Sequence, residues 1–140
     1  MHRRTMGALA IGIIMTFVAA SAQAQEPTAK EGWVQLPESG ETSAKAFALV
    51  KNPGMYDVYL VSASSDVAGK VEFRRAGDSE TKAVGELTVP AYGKLSMGPD
   101  GVHVVLVDLK HSLKADESVS ITLTTDSNVK IRIKATVRKE

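Results

Sequence analysis

The stretch SVSITLTTDSNVKIRIKATV, residues 118–137, decides the fold class. Val119, Ile121 and Leu123 alternate with Ser and Thr, and Ile131, Ile133, Ala135 and Val137 alternate with Lys130, Arg132, Lys134 and Thr136. Side chains on a strand point to opposite faces with a period of two, so each half presents one apolar and one polar face. The segment TDSN (125–128) supplies turn-forming residues between them, and the whole predicts a β-hairpin. As a charged C-terminal strand, 130–137 is expected at a sheet edge, where lysine and arginine discourage further pairing.

The same kind of segment recurs upstream. GWVQL (32–36), KAFALVKN (45–52), DVYLVSASS (57–65), GKVEFRRA (69–76), TKAVGELTV (81–89), GKLSMG (93–98) and GVHVVLVDL (101–109) are each bounded by Gly, Pro, Asn or Asp. No stretch carries a helical period. Short strands at this spacing predict an all-β sandwich or small Greek-key barrel of antiparallel strands, without βαβ units. Residues 32–140 read as one β domain, and QEPTAKE (25–31) as a flexible start.

The first 24 residues read differently. Arg3 and Arg4, the apolar run from Met6 to Ala20 and the Ala22-Gln23-Ala24 triplet have the form of a secretory signal peptide, with cleavage expected before Gln25. The apolar run is short for a bilayer span, so the expected product is exported, with the periplasm its destination and no membrane segment after cleavage. Loss of Arg3 and Arg4 leaves 15 basic against 16 acidic residues. That balance carries no electrostatic footprint for nucleic acid. The chain has no cysteine, which excludes both disulfides and thiolate metal sites.

Candidate chemistry is sparse. Beyond residue 24 the imidazole and thioether groups are His103, His111, Met55 and Met97. Met97 precedes His103 by six residues across GPDG (98–101), and a hairpin there would bring the two together. His111 in DLKHSL reads as a solvated strand exit, and Trp33, Phe47 and Phe73 as core. Carboxylates are scattered singly over turns and strand ends, no Gly-x-Ser-x-Gly elbow occurs, and GKLSMGPDG lacks the order of a phosphate-binding loop. No enzyme activity is expected.

GWVQLP (32–37), AKAFALVKNPG (44–54), YLVSASSDVAGKVEF (59–73) and LTVPAYGKLSMGPDGVHVVLVDLKHSLKADESVSITLT (87–124) resemble, in order, the PCuAC family of periplasmic copper chaperones. The resemblance implies a cupredoxin-like β-barrel that carries Cu(I) to a periplasmic cuproprotein or an oxidase-assembly factor. It also implies copper held by a histidine and a methionine of one hairpin and a His-x-Met pair on a later strand. Thioether sulfur and imidazole suit soft Cu(I), and residues i and i+2 of a strand share a face. Here the later pair reads His103-Val104-Val105, and the hairpin strand ends Val71-Glu72-Phe73-Arg74, where a histidine is expected. Valine has no donor, and a guanidinium is always protonated. The resemblance therefore implies a copper-chaperone-like protein with a degenerate metal site, in which His103 and Met97 are the candidate ligands for Cu(I). The other reading of the same residues is a metal-free PCuAC-like barrel acting as a protein-interaction module.

Overall fold

A computed structural model describes residues 12, 14, 26–77 and 82–139. The expected signal peptide, residues 1–24, lies almost entirely outside the described residues. Among the described residues the expected strand segments form ten strands: β1 (Thr28–Gln35), β2 (Ala44–Lys51), β3 (Val58–Ser65), β4 (Ala68–Arg75), β5 (Lys82–Val84), β6 (Leu87–Val89), β7 (Lys94–Ser96), β8 (Val102–Leu109), β9 (Ser118–Thr125) and β10 (Lys130–Arg138). They run β5-β4-β8-β2-β1-β10-β9-β3-β6 in one strongly curved, nearly closed sheet, with β7 also on β2. The all-β barrel expected from the sequence is the fold observed.

The C-terminal hairpin is built as its pattern requires. Ile131 pairs with Leu123, Ile133 with Ile121 and Ala135 with Val119, and all six are buried. Asn128 adopts the left-handed conformation (φ 65°), and the Thr125 amide donates to the Val129 carbonyl while the Val129 amide donates to the Thr125 hydroxyl. Asparagine tolerates that conformation, which a three-residue loop needs at its last position. The inward faces of the other strands add Val34, Val50, Leu60, Val89, Val104 and Leu106 to the same core.

Several boundaries and pairings differ from expectation. β1 begins at Thr28, because Thr28 to Lys30 pair with Lys51 to Leu49, so part of the expected flexible start is strand. The 81–89 segment divides at Gly85-Glu86 into β5, which pairs with β4, and β6, which pairs with β3. β10 is not an edge: it lies between β9 and β1, and its pairing with β1 is parallel, the exception among otherwise antiparallel ladders. Its outward Lys130, Arg132 and Lys134 therefore cover a central strand.

Two irregularities position the region around His103. Lys30 pairs with Leu49 and Trp33 with Phe47, so three steps on β1 face two on β2. This bulge, with Glu31 at φ 55°, keeps Lys30 and Trp33 on the same outward face and sets Trp33 beside Phe47. Gly32 sits inside it, where a Cβ would lie 2.5 Å from Ile133 Cγ2 and 3.0 Å from the Lys134 carbonyl oxygen. Gly32→Ala is expected to lower the unfolding free energy by about 1–3 kcal/mol, read from the urea midpoint at constant slope.

Candidate functional site around His103

β7 and β8 are not the two arms of a hairpin. Both pair antiparallel with β2, β7 along Leu49–Lys51 and β8 along Ala44–Ala46, so they run in line and residues 98–101 form a loop interrupting one long edge. The loop is closed by Gly98 N–H to the Val102 carbonyl and Gly101 N–H to the Gly98 carbonyl, and is tied to the end of β4 by Ala76 N–H to the Gly101 carbonyl. The expected approach of Met97 and His103 through a hairpin is therefore replaced by a different arrangement. The Met97 amide bonds to the Ala48 carbonyl and its side chain is buried with the core. It lines a small cavity of about 150 Å³ with Trp33, Phe47 and Arg138.

His103 lies on the outward face of the sheet and is nevertheless fully buried. Its β4 neighbour in register is Arg74. On the β2 side its ring packs against Phe47, centroids 5.9 Å apart, and Phe47 in turn packs on Trp33 at 4.7 Å. Arg138 lies 4.4 Å over the Trp33 ring, a cation–π contact. Phe47 is part of the buried core, as expected, and its ring also forms the wall between His103 and Trp33 on the face it shares with exposed Lys45 and Lys51. One residue row further along, Val105 pairs with Lys45 on one side and Glu72 on the other.

The polar atoms of the ring have unequal surroundings. His103 Nδ1 is 3.1 Å from the Gly101 carbonyl oxygen, which only accepts, so Nδ1 is the protonated nitrogen. In the neutral ring this leaves a lone pair on Nε2, which is buried and has no hydrogen-bond partner among the described residues. Burial pulls the His103 pKa below the ordinary imidazole value; the Gly101 contact opposes this, and the charges of Lys45 and Arg74 add to the lowering. Arg74 donates from Nε and Nη2 to Glu72 Oε2, at 3.1 and 2.7 Å, and Lys70 Nζ is 2.8 Å from Glu72 Oε1. Lys70 first and Arg74 second hold Glu72 below the usual carboxylate range. Beside this row a cavity of about 550 Å³ opens between Lys45, Arg74, Val105, Val107 and the 35–44 segment.

His111, expected to be merely solvated, places Nε2 2.8 Å from Glu117 Oε2, a contact that lowers the Glu117 pKa. Met55 is exposed on the 52–57 loop. Among the described residues there is no cluster of three or more His, Cys, Asp or Glu side chains able to hold a metal ion. The resemblance already set Arg74 at a ligand position beside His103, and the β4–β8 register pairs the two. The Gly101 acceptor has no signal in the sequence and is placed only by the path of the 98–101 loop.

Residues 28–137 match the family described as "Putative lipoprotein LpqE-like". The chain belongs to that family. A relative from Leifsonia xyli subsp. xyli, "Putative lipoprotein Lxx21020", is 29% identical over 131 residues, covering 85% of this chain and 78% of its own. Among solved structures, the copper-bound PCuAC domain from PmoF2 is 25% identical with a TM-score of 0.70, covering 80% of this chain and 92% of that domain. Apo-DR1885 from Deinococcus radiodurans is 30% identical with a TM-score of 0.64, covering 100% and 95%. The Cu(I) form of DR1885 is 28% identical with a TM-score of 0.66, covering 87% and 83%. The LpqE-like chain thus has the cupredoxin-like β fold of the PCuAC domains, a copper-chaperone-like fold. Among the described residues of this LpqE-like protein, no helix is long and apolar enough to cross a membrane.

The lowered His103 pKa carries a sign for stability. The folded state resists protonation of the ring more than the unfolded chain does, so the unfolded state binds more protons once the pH falls below the ordinary imidazole value. Stability is therefore full above that value and is lost as pH falls toward the depressed folded pKa. Urea unfolding followed from about pH 7.5 to 5.5 should show this decline, and His103→Leu should remove most of the slope.

Proposed function

We propose that this LpqE-like protein is an exported, PCuAC-type copper-chaperone-like carrier with a reduced site, taking Cu(I) as cargo weakly through His103. The observation that carries the reading is the buried Nε2, without a hydrogen-bond partner among the described residues, of a ring whose other nitrogen is held by Gly101. A neutral imidazole fixed in this way is a ready donor for a soft monovalent cation. Met97 is the second donor we assign. Met97 lines one small cavity with Phe47, the ring that packs on His103, so sulfur and nitrogen would meet on one ion only if that ring moved. The chemistry asked of the protein is capture and release, with no bond made or broken in a substrate. Export follows from the signal-like first 24 residues and fits relatives described as lipoproteins. The recipient we assign is a periplasmic cuproprotein or an oxidase-assembly factor.

A specific observation favours a second reading. Val105 occupies the i+2 position beside His103, and the cationic Arg74 stands opposite it. Positive charge next to a bound cation raises its energy, and both changes remove donors. On that reading the barrel binds no metal and acts as an interaction module.

Anaerobic competition of the protein with a chromogenic Cu(I) chelator separates the two. The carrier reading expects weak one-to-one binding that is abolished in His103→Ala and weakened in Met97→Leu; no competition at any chelator level leaves the metal-free module. Restoring donors tests the placement of the site independently. Arg74→His combined with Val105→Met should tighten Cu(I) binding in the same titration, and an unchanged affinity would contradict the assignment of this face as the metal position.

A further inference from the structure

At the end of the sheet remote from the 35–44 segment, three lysines share one outward surface. Lys51 on β2 and Lys94 on β7 are direct cross-strand partners, and Lys30 on β1 is close enough to lower the Lys51 pKa by hydrogen bonding and repulsion, with Lys94 adding to it. Like charges directly opposite one another on adjacent strands destabilise a ladder. Glu31 is the acidic group that acts in the opposite sense on Lys51. Asp57, at the end of the 52–57 loop, accepts from the Ala91 amide at 2.8 Å.

Beside the lysines lies a cavity of about 370 Å³ lined by Lys51, Asn52, Pro53, Tyr92, Gly93 and Lys94. Its walls are rigidly built. The buried Asn52 amide donates to the carbonyls of Tyr56, Val89 and Pro90 and accepts from the Gly54 amide, which binds the 52–57 and 90–93 loops to each other. Tyr92 is held in the left-handed region (φ 56°) with its amide on the Gly54 carbonyl, yet its side chain is 74% exposed. Tyr56 and Met55 project from the neighbouring loop, 77% and 56% exposed. A rigid backbone that holds amphipathic rings in solvent is suited to contact.

β7 supplies the remaining element. Among the described residues it pairs with β2 alone, so its far edge has no ladder partner, and it lies in line with β8, whose corresponding edge is taken by β4. An extended chain can add to such an edge by main-chain hydrogen bonds while side-chain contacts select its sequence.

We propose that β7 and the Lys51–Tyr92–Lys94 surface form a docking site for an extended acidic segment of a partner protein. The segment pairs along Lys94–Ser96, sets carboxylates against Lys51 and Lys94, and packs an apolar side chain against Tyr92 in the cavity. The site does not include His103, and the proposal holds whether or not that residue binds copper. The near-neutral total charge conceals it, because the lysines are clustered while the acids are spread.

The test uses the protein beginning at Gln25, which contains all ten strands, and a fluorescein-labelled peptide of alternating Glu and Leu, with alternating Lys and Leu as control. Fluorescence anisotropy should detect binding of the acidic peptide only, weakening as salt is raised. Lys51→Gln/Lys94→Gln should weaken it by about tenfold or more, and Tyr92→Ser should weaken it as well. Lys110→Gln/Lys114→Gln, at the opposite end of the sheet, should leave it unchanged. Circular dichroism of each variant verifies folding, and amide shift changes in the unsubstituted protein should centre on residues 51–57 and 90–96. The proposal is overturned by no binding at low salt, by equal loss in the Lys110/Lys114 variant, or by shift changes elsewhere. Binding to phosphatidylglycerol-containing vesicles with no binding of the acidic peptide would also overturn it, and would assign the surface to lipid.

Discussion

The register between β4, β8, β2 and β1 is the constraint on which the functional reading depends. It sets Arg74, His103, Phe47 and Trp33 side by side across four strands on the outward face of the barrel. A slip of one residue in any of these ladders would send its side chain to the other face. The β1 bulge corrects the alignment at one end of the row, and the 98–101 loop, anchored to Ala76, closes over the other. On this face the His103 ring is buried against Phe47 with Nδ1 at the Gly101 carbonyl, and Nε2 has no hydrogen-bond partner among the described residues. The inward face of the same strands is ordinary packing, with Val34, Ala46, Val104 and Phe73 in the core. One sheet thus keeps stability and chemistry on opposite sides.

Much of the architecture could be read from period-two alternation. The C-terminal hairpin and β2 carry apolar residues at every second position, and the limits of these strands and of β3, β4 and β8 fall within a residue or two of those expected. What alternation could not supply was pairing. Lys130, Arg132 and Lys134 suit an exposed edge, yet they cover a central strand, because the parallel partner β1 comes from the far end of the chain. Glycine and proline around 93–101 suggested a reversal of direction, whereas the loop rejoins the same edge of β2. The beginning of β1 was hidden because Thr28 and Lys30 have no strand signature of their own and gain order from their pairing with Lys51 and Leu49.

The same division applies to the site. His103 was visible as a residue type, and the missing donors at 74 and 105 were visible by resemblance to the PCuAC family. The protonated nitrogen, the aromatic wall and the facing guanidinium depend on contacts between residues far apart in sequence. They alter the chemistry expected of the histidine. A ring kept neutral by burial, with its proton on Nδ1, can donate an electron pair from Nε2 despite the adjacent charges of Arg74 and Lys45. On the proposed reading, His103 Nε2 is the oriented donor and Met97 the second one assigned to it.

Long-range ¹⁵N correlation spectra of the His103 imidazole at neutral pH report which nitrogen is protonated, and repeating them anaerobically with Cu(I) reports which nitrogen binds. The account predicts a neutral ring protonated at Nδ1, with a large shift confined to Nε2 on addition of the metal. A ring protonated at Nε2, or one charged at neutral pH, would contradict it.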